Sequence, residues 1–85
     1  MATRTVTVGS AVGLHARPAA IIAEAAAELD SEVTLGAPGE DGVDASSSLL
    51  IMTLGAGAGD TIEVSGDDQA AVDTIADLVE KDLDA

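Results

Sequence analysis

Phenylalanine, tyrosine, tryptophan and cysteine are all absent from this 85-residue sequence. Without aromatic side chains the core has to be built from Ala, Val, Leu and Ile, so it should be thin and tightly packed. Without cysteine, neither a disulfide framework nor a thiolate metal site is open to the chain. Positive charge is nearly missing too: Arg4, Arg17 and Lys81 stand against sixteen carboxylates, for a formal net charge of −13. Such a surface repels nucleic-acid phosphates and anionic membranes. Self-repulsion of this size is best tolerated where ions screen it, the Debye length falling to about 3 Å near 1 M salt, so the composition suits a salt-rich, halophilic cytosol. No run of eighteen apolar residues occurs, and the N-terminus opens on polar, strand-like residues rather than a basic stretch followed by an apolar one. Cytoplasmic residence is therefore expected. The length suits one small domain over residues 1–85, with a single core and no room for a deep enzymatic cleft.

What is present is clear periodicity. Thr3 to Val8 alternates, with Val6 and Val8 on one face and Thr5 and Thr7 on the other, as a half-buried strand requires. From Ala16 to Leu29 the residues Ala19, Ile22, Ala26 and Leu29 recur at helical spacing while Glu24 and Glu28 lie elsewhere on the cylinder. Val33 and Leu35 mark a second strand; the Pro38-Gly39 pair turns the chain between Gly36 and Gly42, and a short third strand follows near Val43. Ser46 to Leu54 predicts a short helix, with serines to cap it and Leu49, Met52 and Leu50 as its apolar face. Thr61 to Ser65 alternates again around Ile62 and Val64. Asp67 to Leu83 carries Val72, Ile75, Ala76, Val79 and Leu83 at helical spacing, with Asp67 and Asp68 at its positive end. The order β-α-β-β-α-β-α predicts an α+β fold: an open-faced sandwich of a four-stranded antiparallel sheet with three helices on one face.

The chemistry concentrates in Gly13-Leu14-His15-Ala16-Arg17-Pro18-Ala19. His15, the sole histidine, falls where a glycine-bearing loop enters the first helix, at or near its N-cap. The first turn of a helix carries N–H groups without intrahelical partners, and the helix dipole adds positive partial charge there. The backbone amides of Ala16 and Arg17 are thus placed to receive a phosphoryl group on the His15 ring. Pro18 forfeits no helical bond in the first turn and stiffens it. Arg17 offers phosphate a planar fork of donors and stays charged at any relevant pH. An isolated histidine is most often a plain capping residue; Gly13, Arg17 and Pro18 at these offsets reverse that reading.

These seven contiguous residues resemble the active-site signature of the HPr family, the histidine phosphocarriers of the sugar phosphotransferase system. Leu54-Gly55, the Gly59-Asp60 entry to the last strand and the final amphipathic helix extend the resemblance over nearly the whole chain. It implies His15 as the phosphoryl acceptor, Arg17 as its electrostatic partner, and no cofactor. It also implies Enzyme I, charged by phosphoenolpyruvate, as donor and an EIIA-type sugar-specific component as acceptor, with the carrier working as a monomer. The family's regulatory serine corresponds to Ser47 when counted back from Leu54-Gly55 and to Ser46 when counted forward. Ser48 stands where an apolar docking residue is usual in that family. Leu49 and Met52 are implied as partner-docking residues, although either could equally anchor the short helix to the core.

Other signals carry less. Gly55-Ala56-Gly57-Ala58-Gly59-Asp60 looks like a phosphate-cradling loop but lacks the Lys-Ser/Thr ending of a P-loop, and reads as a flexible connection. Glu40, Asp41 and Asp44 have no EF-hand spacing and read as a solvated face, so no metal site is expected. An acyl carrier would also be small and acidic, but the alternating segments contradict an all-helical bundle and Ser47 lacks a preceding Asp. Two variants stay closer to the resemblance: a phosphorelay component serving dihydroxyacetone kinase, and a regulatory binding module acting through Ser47.

Overall fold

Alternation of apolar and polar residues turns into a sheet with one covered face. The computed structural model describes residues 2–83. Its elements are β1 (Ala2–Thr7), α1 (Ala16–Ala27), β2 (Val33–Gly36), β3 (Val43–Asp44), α2 (Ser48–Thr53), β4 (Thr61–Gly66) and α3 (Gln69–Glu80), in the expected order. The strands form one antiparallel sheet ordered β1-β4-β2-β3. Strand β4 fills the slot between β1 and β2, so α1 is the crossover that joins an edge strand to an inner one.

The register explains which face is closed. Val6 lies opposite Ile62, and Val64 opposite both Arg4 and Leu35. Val6, Val33, Leu35, Ile62 and Val64 are buried beneath the helices, which contribute Ala19, Ile22, Ile51, Val72, Ile75 and Val79 to the same core. Full burial of a Val, Leu or Ile side chain is worth about 1.5–3 kcal/mol, which lets aliphatic residues alone hold a domain of this size. On the other face Thr3, Thr5 and Thr7 are exposed, with the Thr3 and Ser65 hydroxyls 3.3 Å apart across the pair.

Arg4 is the one charged residue on the helix-facing side of β1. It forms ion pairs with Asp77 at 3.0 Å, Asp73 at 3.3 Å and Glu80 at 2.8 Å, all on α3. The hydrogen bonds to Asp77 and then Asp73 push the guanidinium further up from its ordinary value. One of the chain's three cations is thus committed to holding α3 on β1.

Element ends differ from expectation for local reasons. Strand β1 closes at Thr7 rather than Val8, although buried Val8 still bonds through its N–H to Asp60 and through its carbonyl to Gly59. Helix α1 stops at Ala27, because Glu28 and Leu29 bond back three residues to Ala25 and Ala26 and tighten the last turn. Helix α3 starts at Gln69, capped by the Asp68 carboxylate on the Ala70 N–H, and ends at Glu80 rather than Leu83, since Lys81 is extended. Helix α2 turns Ile51 into the core, with Met52 packed partly against it, while Leu49 is 72% exposed. The apolar face predicted from Leu49, Leu50 and Met52 is therefore corrected: six residues make too few turns for spacing alone to say which side looks inward.

Candidate functional site

The loop from Gly9 to Leu14 delivers His15 to the start of α1. Gly13 has φ of +79°, a left-handed conformation that side chains disfavour. A Cβ there would also lie 2.5 Å from the Ala56 carbonyl oxygen and 2.8 Å from the Gly57 Cα. The next residue, Leu14, donates its N–H to that same Ala56 carbonyl at 2.9 Å. The Gly55–Asp60 stretch, expected to be only a flexible connection, is thus the wall against which the His15 loop is braced. Its contribution is the Ala56 carbonyl and the Gly57 Cα, which no motif in the sequence reports.

His15 is the N-cap of α1, with extended backbone (φ −82°, ψ −170°), and its carbonyl accepts the first helical bond from Ala19 at 2.9 Å. Its ring makes no capping hydrogen bond and is exposed. The imidazole is therefore not spent on holding the helix. In the first turn Ala16 and Arg17 present N–H groups that the helix leaves unpaired, and Pro18, third in the helix and buried, has none to offer. Arg17 is exposed and forms no ion pair with any described residue, in contrast to Arg4. An exposed imidazole, two amides left unpaired by the helix and a guanidinium that pairs with no described residue belong to one helix end.

Helix α2, which with its cap carries the remaining candidates, packs against α1. Ser47 is its N-cap, the hydroxyl oxygen accepting the Leu50 N–H at 3.3 Å. Ser46 points elsewhere: its backbone N–H and its hydroxyl both donate to the Asp44 carboxylate, at 2.9 and 2.8 Å. These two bonds, the backbone one first, hold the Asp44 carboxyl below its ordinary value of 3.8. A depressed carboxylate favours the folded state above that ordinary value, and the contribution is lost as pH falls through the folded one. Ser46→Ala is expected to return the Asp44 carboxyl towards 3.8 in a carbon-13 titration, with stability near pH 7 nearly unchanged because the pair is exposed.

Charge is distributed unevenly around this side. None of the sixteen carboxylates falls in segments 1–23 or 45–59, which supply the His15 loop, the start of α1, all of α2 and the Ala56 wall. The large hydrophobic residues left exposed, Val12 (52%), Leu49 (72%) and Leu50 (42%), all lie in those two segments. The Asp60 carboxylate nonetheless reaches back to this wall, accepting the Gly57 N–H at 2.8 Å, so the two segments carry Arg17 and exposed apolar residues but are bordered by negative charge. Val12 has no periodic context in the sequence, so nothing there singled it out. Among the described residues no group of acidic or histidine side chains is arranged to hold a metal ion.

Comparison with known proteins agrees with this geometry. The family model described as "PTS HPr component phosphorylation site" matches residues 2–81. Phosphocarrier protein HPr of Streptomyces coelicolor is 40% identical over 87 residues, covering 99% of this chain and 94% of that protein. Phosphocarrier protein HPr of Haloferax volcanii is 41% identical over 80 residues, covering 89% and 90%. The crystal structure of HPr-C-His from Thermoanaerobacter tengcongensis superposes with a TM-score of 0.87 at 28% identity, covering 100% of this chain and 98% of that one. The chain belongs to the HPr family of the phosphotransferase system, and is a phosphocarrier rather than an enzyme.

Proposed function

We propose that His15 is the group that carries the phosphoryl, received from Enzyme I and passed to an EIIA-type component of sugar uptake. The observation that carries this reading is an exposed imidazole at the N-cap of α1, free of any capping bond, two residues from an Arg17 that pairs with no described residue. In transfer, the lone pair of a His15 ring nitrogen forms a bond to phosphorus as the donor's P–N bond breaks and its electron pair returns to the donor ring. The three phosphoryl oxygens keep their charge throughout and need only be positioned and neutralised. The Ala16 and Arg17 amides and the Arg17 guanidinium are the groups that do so. Onward transfer reverses the step on the next imidazole.

Exposed Leu49, with partly buried Met52 as its support, in a segment that carries no carboxylate of its own, supports this side as the docking face. Apolar docking does not weaken as salt rises, whereas attraction to a basic partner does. The KM for Enzyme I from the same cells should therefore stay flat or fall between about 0.1 and about 2 M NaCl. A KM rising tenfold would contradict an apolar docking face. Of the two serines, Ser47 is the better candidate for a regulatory phosphate, because a phosphoryl on Ser46 would face the Asp44 carboxylate. Family membership, and the lack among the described residues of a helix long and apolar enough to cross a membrane, support work in the cytoplasm.

The test is incubation of the purified protein with Enzyme I and phosphoenolpyruvate. An acid-labile, hydroxylamine-sensitive phosphate supports the reading; an acid-stable one points to serine instead.

A further inference from the structure

The only buried polar side chain among the described residues is Ser10, fully enclosed at the start of the loop that leads to His15. A buried hydroxyl is costly unless bonded, and both partners of this one lie beyond the end of α3. Its oxygen accepts the Leu83 N–H at 3.2 Å, and its O–H donates to the Lys81 carbonyl in a longer bond of 3.4 Å. The neighbouring contacts repeat the theme. Gly9 donates its N–H to the Val79 carbonyl at 3.0 Å, and a Cβ on Gly9 would fall 1.8 Å from the Glu80 carbonyl oxygen. The last carbonyls of a helix have no partners within it, and here the His15 loop satisfies that of Val79 in α3 and that of Lys81 just after it.

The loop therefore has two anchors. At its near end Gly9 and Ser10 are fixed to the segment that closes α3; at its far end Leu14 is fixed to Ala56. Between them the Ser10 carbonyl accepts the Gly13 N–H at 3.0 Å, setting the turn in which Gly13 takes its left-handed φ. Ala11 and Val12 are exposed and touch neither anchor through a backbone bond. The direction in which the chain enters His15 is thus determined at Ser10 as well as at Ala56.

We infer that Ser10 is a positioning residue for phosphoryl transfer, its buried hydroxyl joining the segment after α3 to the loop that aims His15. This rests on the carrier role proposed for His15, and it adds a group that touches neither ring nor phosphate. A transfer that depends on in-line geometry is sensitive to small misplacement of the nucleophile. Loss of the latch should therefore lower turnover without changing the face that the donor recognises.

Ser10→Ala tests this with two readouts, and its melting temperature should fall by only roughly 5 °C. First, hydrogen exchange at the Leu14 amide, whose own bond to Ala56 the substitution leaves untouched, should quicken about tenfold, while core amides such as Val64 change no more than the melting temperature implies. Second, phosphorylation by Enzyme I should show kcat lowered roughly fivefold with KM unchanged. Unaltered Leu14 exchange overturns the latch whatever the phosphate assay shows. Wild-type kcat in Ser10→Ala, or a loss confined to KM, overturns its role in transfer. If wild-type protein takes no phosphate on His15, the carrier reading fails, and Leu14 exchange still decides the latch.

Discussion

His15→Ala is expected to take up no phosphate from Enzyme I and phosphoenolpyruvate, while its melting temperature stays within a few degrees of the parent. The two halves of that result have separate physical origins. Loss of transfer follows because the chain has no second histidine to carry a P–N bond. Retention of stability follows from the position of the ring. A bonded N-cap side chain is typically worth about 1 kcal/mol, and the His15 ring makes no capping bond and is exposed. The backbone carbonyl that accepts the Ala19 N–H survives the substitution. Phosphate incorporation and a thermal melt on the same sample check both halves. Unfolding would mean that the ring supports the core, and undiminished phosphorylation would mean that another residue is the acceptor.

Arg17→Glu is expected to slow transfer by roughly tenfold to a hundredfold. A hydrogen bond to a charged group is worth about 1.5–3 kcal/mol, each 1.36 kcal/mol corresponds to a factor of ten in rate, and the substitution also brings a negative charge to a segment, residues 1–23, that otherwise has none. Arg17→Lys keeps the charge but not the planar fork and should fall between the two. Because Arg17 pairs with no described residue, the fold has no stake in the change, and the melting temperature should hold. Rapid-quench measurement of phosphoryl uptake separates the outcomes. A rate equal to the parent's would show that the Ala16 and Arg17 amides suffice without the guanidinium.

The contrast between Arg17 and Arg4 shows how far sequence alone reaches. Both are rare cations in an acidic chain, and in the sequence they look alike except for their neighbours. Arg4 lies on the covered side of an edge strand and is surrounded by Asp73, Asp77 and Glu80, which are distant in sequence and meet it only because α3 packs on β1. Arg17 sits two residues from His15 in a contiguous motif, and its setting is local. Strands and helices were legible for a similar reason: Val6 and Val8, or Val72, Ile75 and Val79, repeat at the period of their element. Helix α2 was legible in existence and in its serine cap but not in its facing, and Ile51 rather than Leu49 turned inward.

What the sequence hid was the support beneath the motif. Ala56 acts through a carbonyl, Gly57 through a backbone carbon that leaves no room for a side chain on Gly13, and Ser10 through partners some seventy residues away. None of these carries a periodic or compositional signal. The absence of carboxylates from segments 1–23 and 45–59 is a different case, since it can be read off the sequence directly. Its meaning needs the fold, which packs α2 against α1, ties Leu14 to Ala56 and brings the Asp60 carboxylate back onto Gly57.

The central claim is that the imidazole at the head of α1 holds the phosphoryl group in transit. Phosphorus-31 NMR of protein charged with Enzyme I and phosphoenolpyruvate, kept at alkaline pH and followed by peptide mapping, tests it most directly. One phosphoramidate resonance, localised to the His15 peptide and lost on acidification, is the expected result. A phosphate ester on serine, or no bound phosphorus at all, would contradict it.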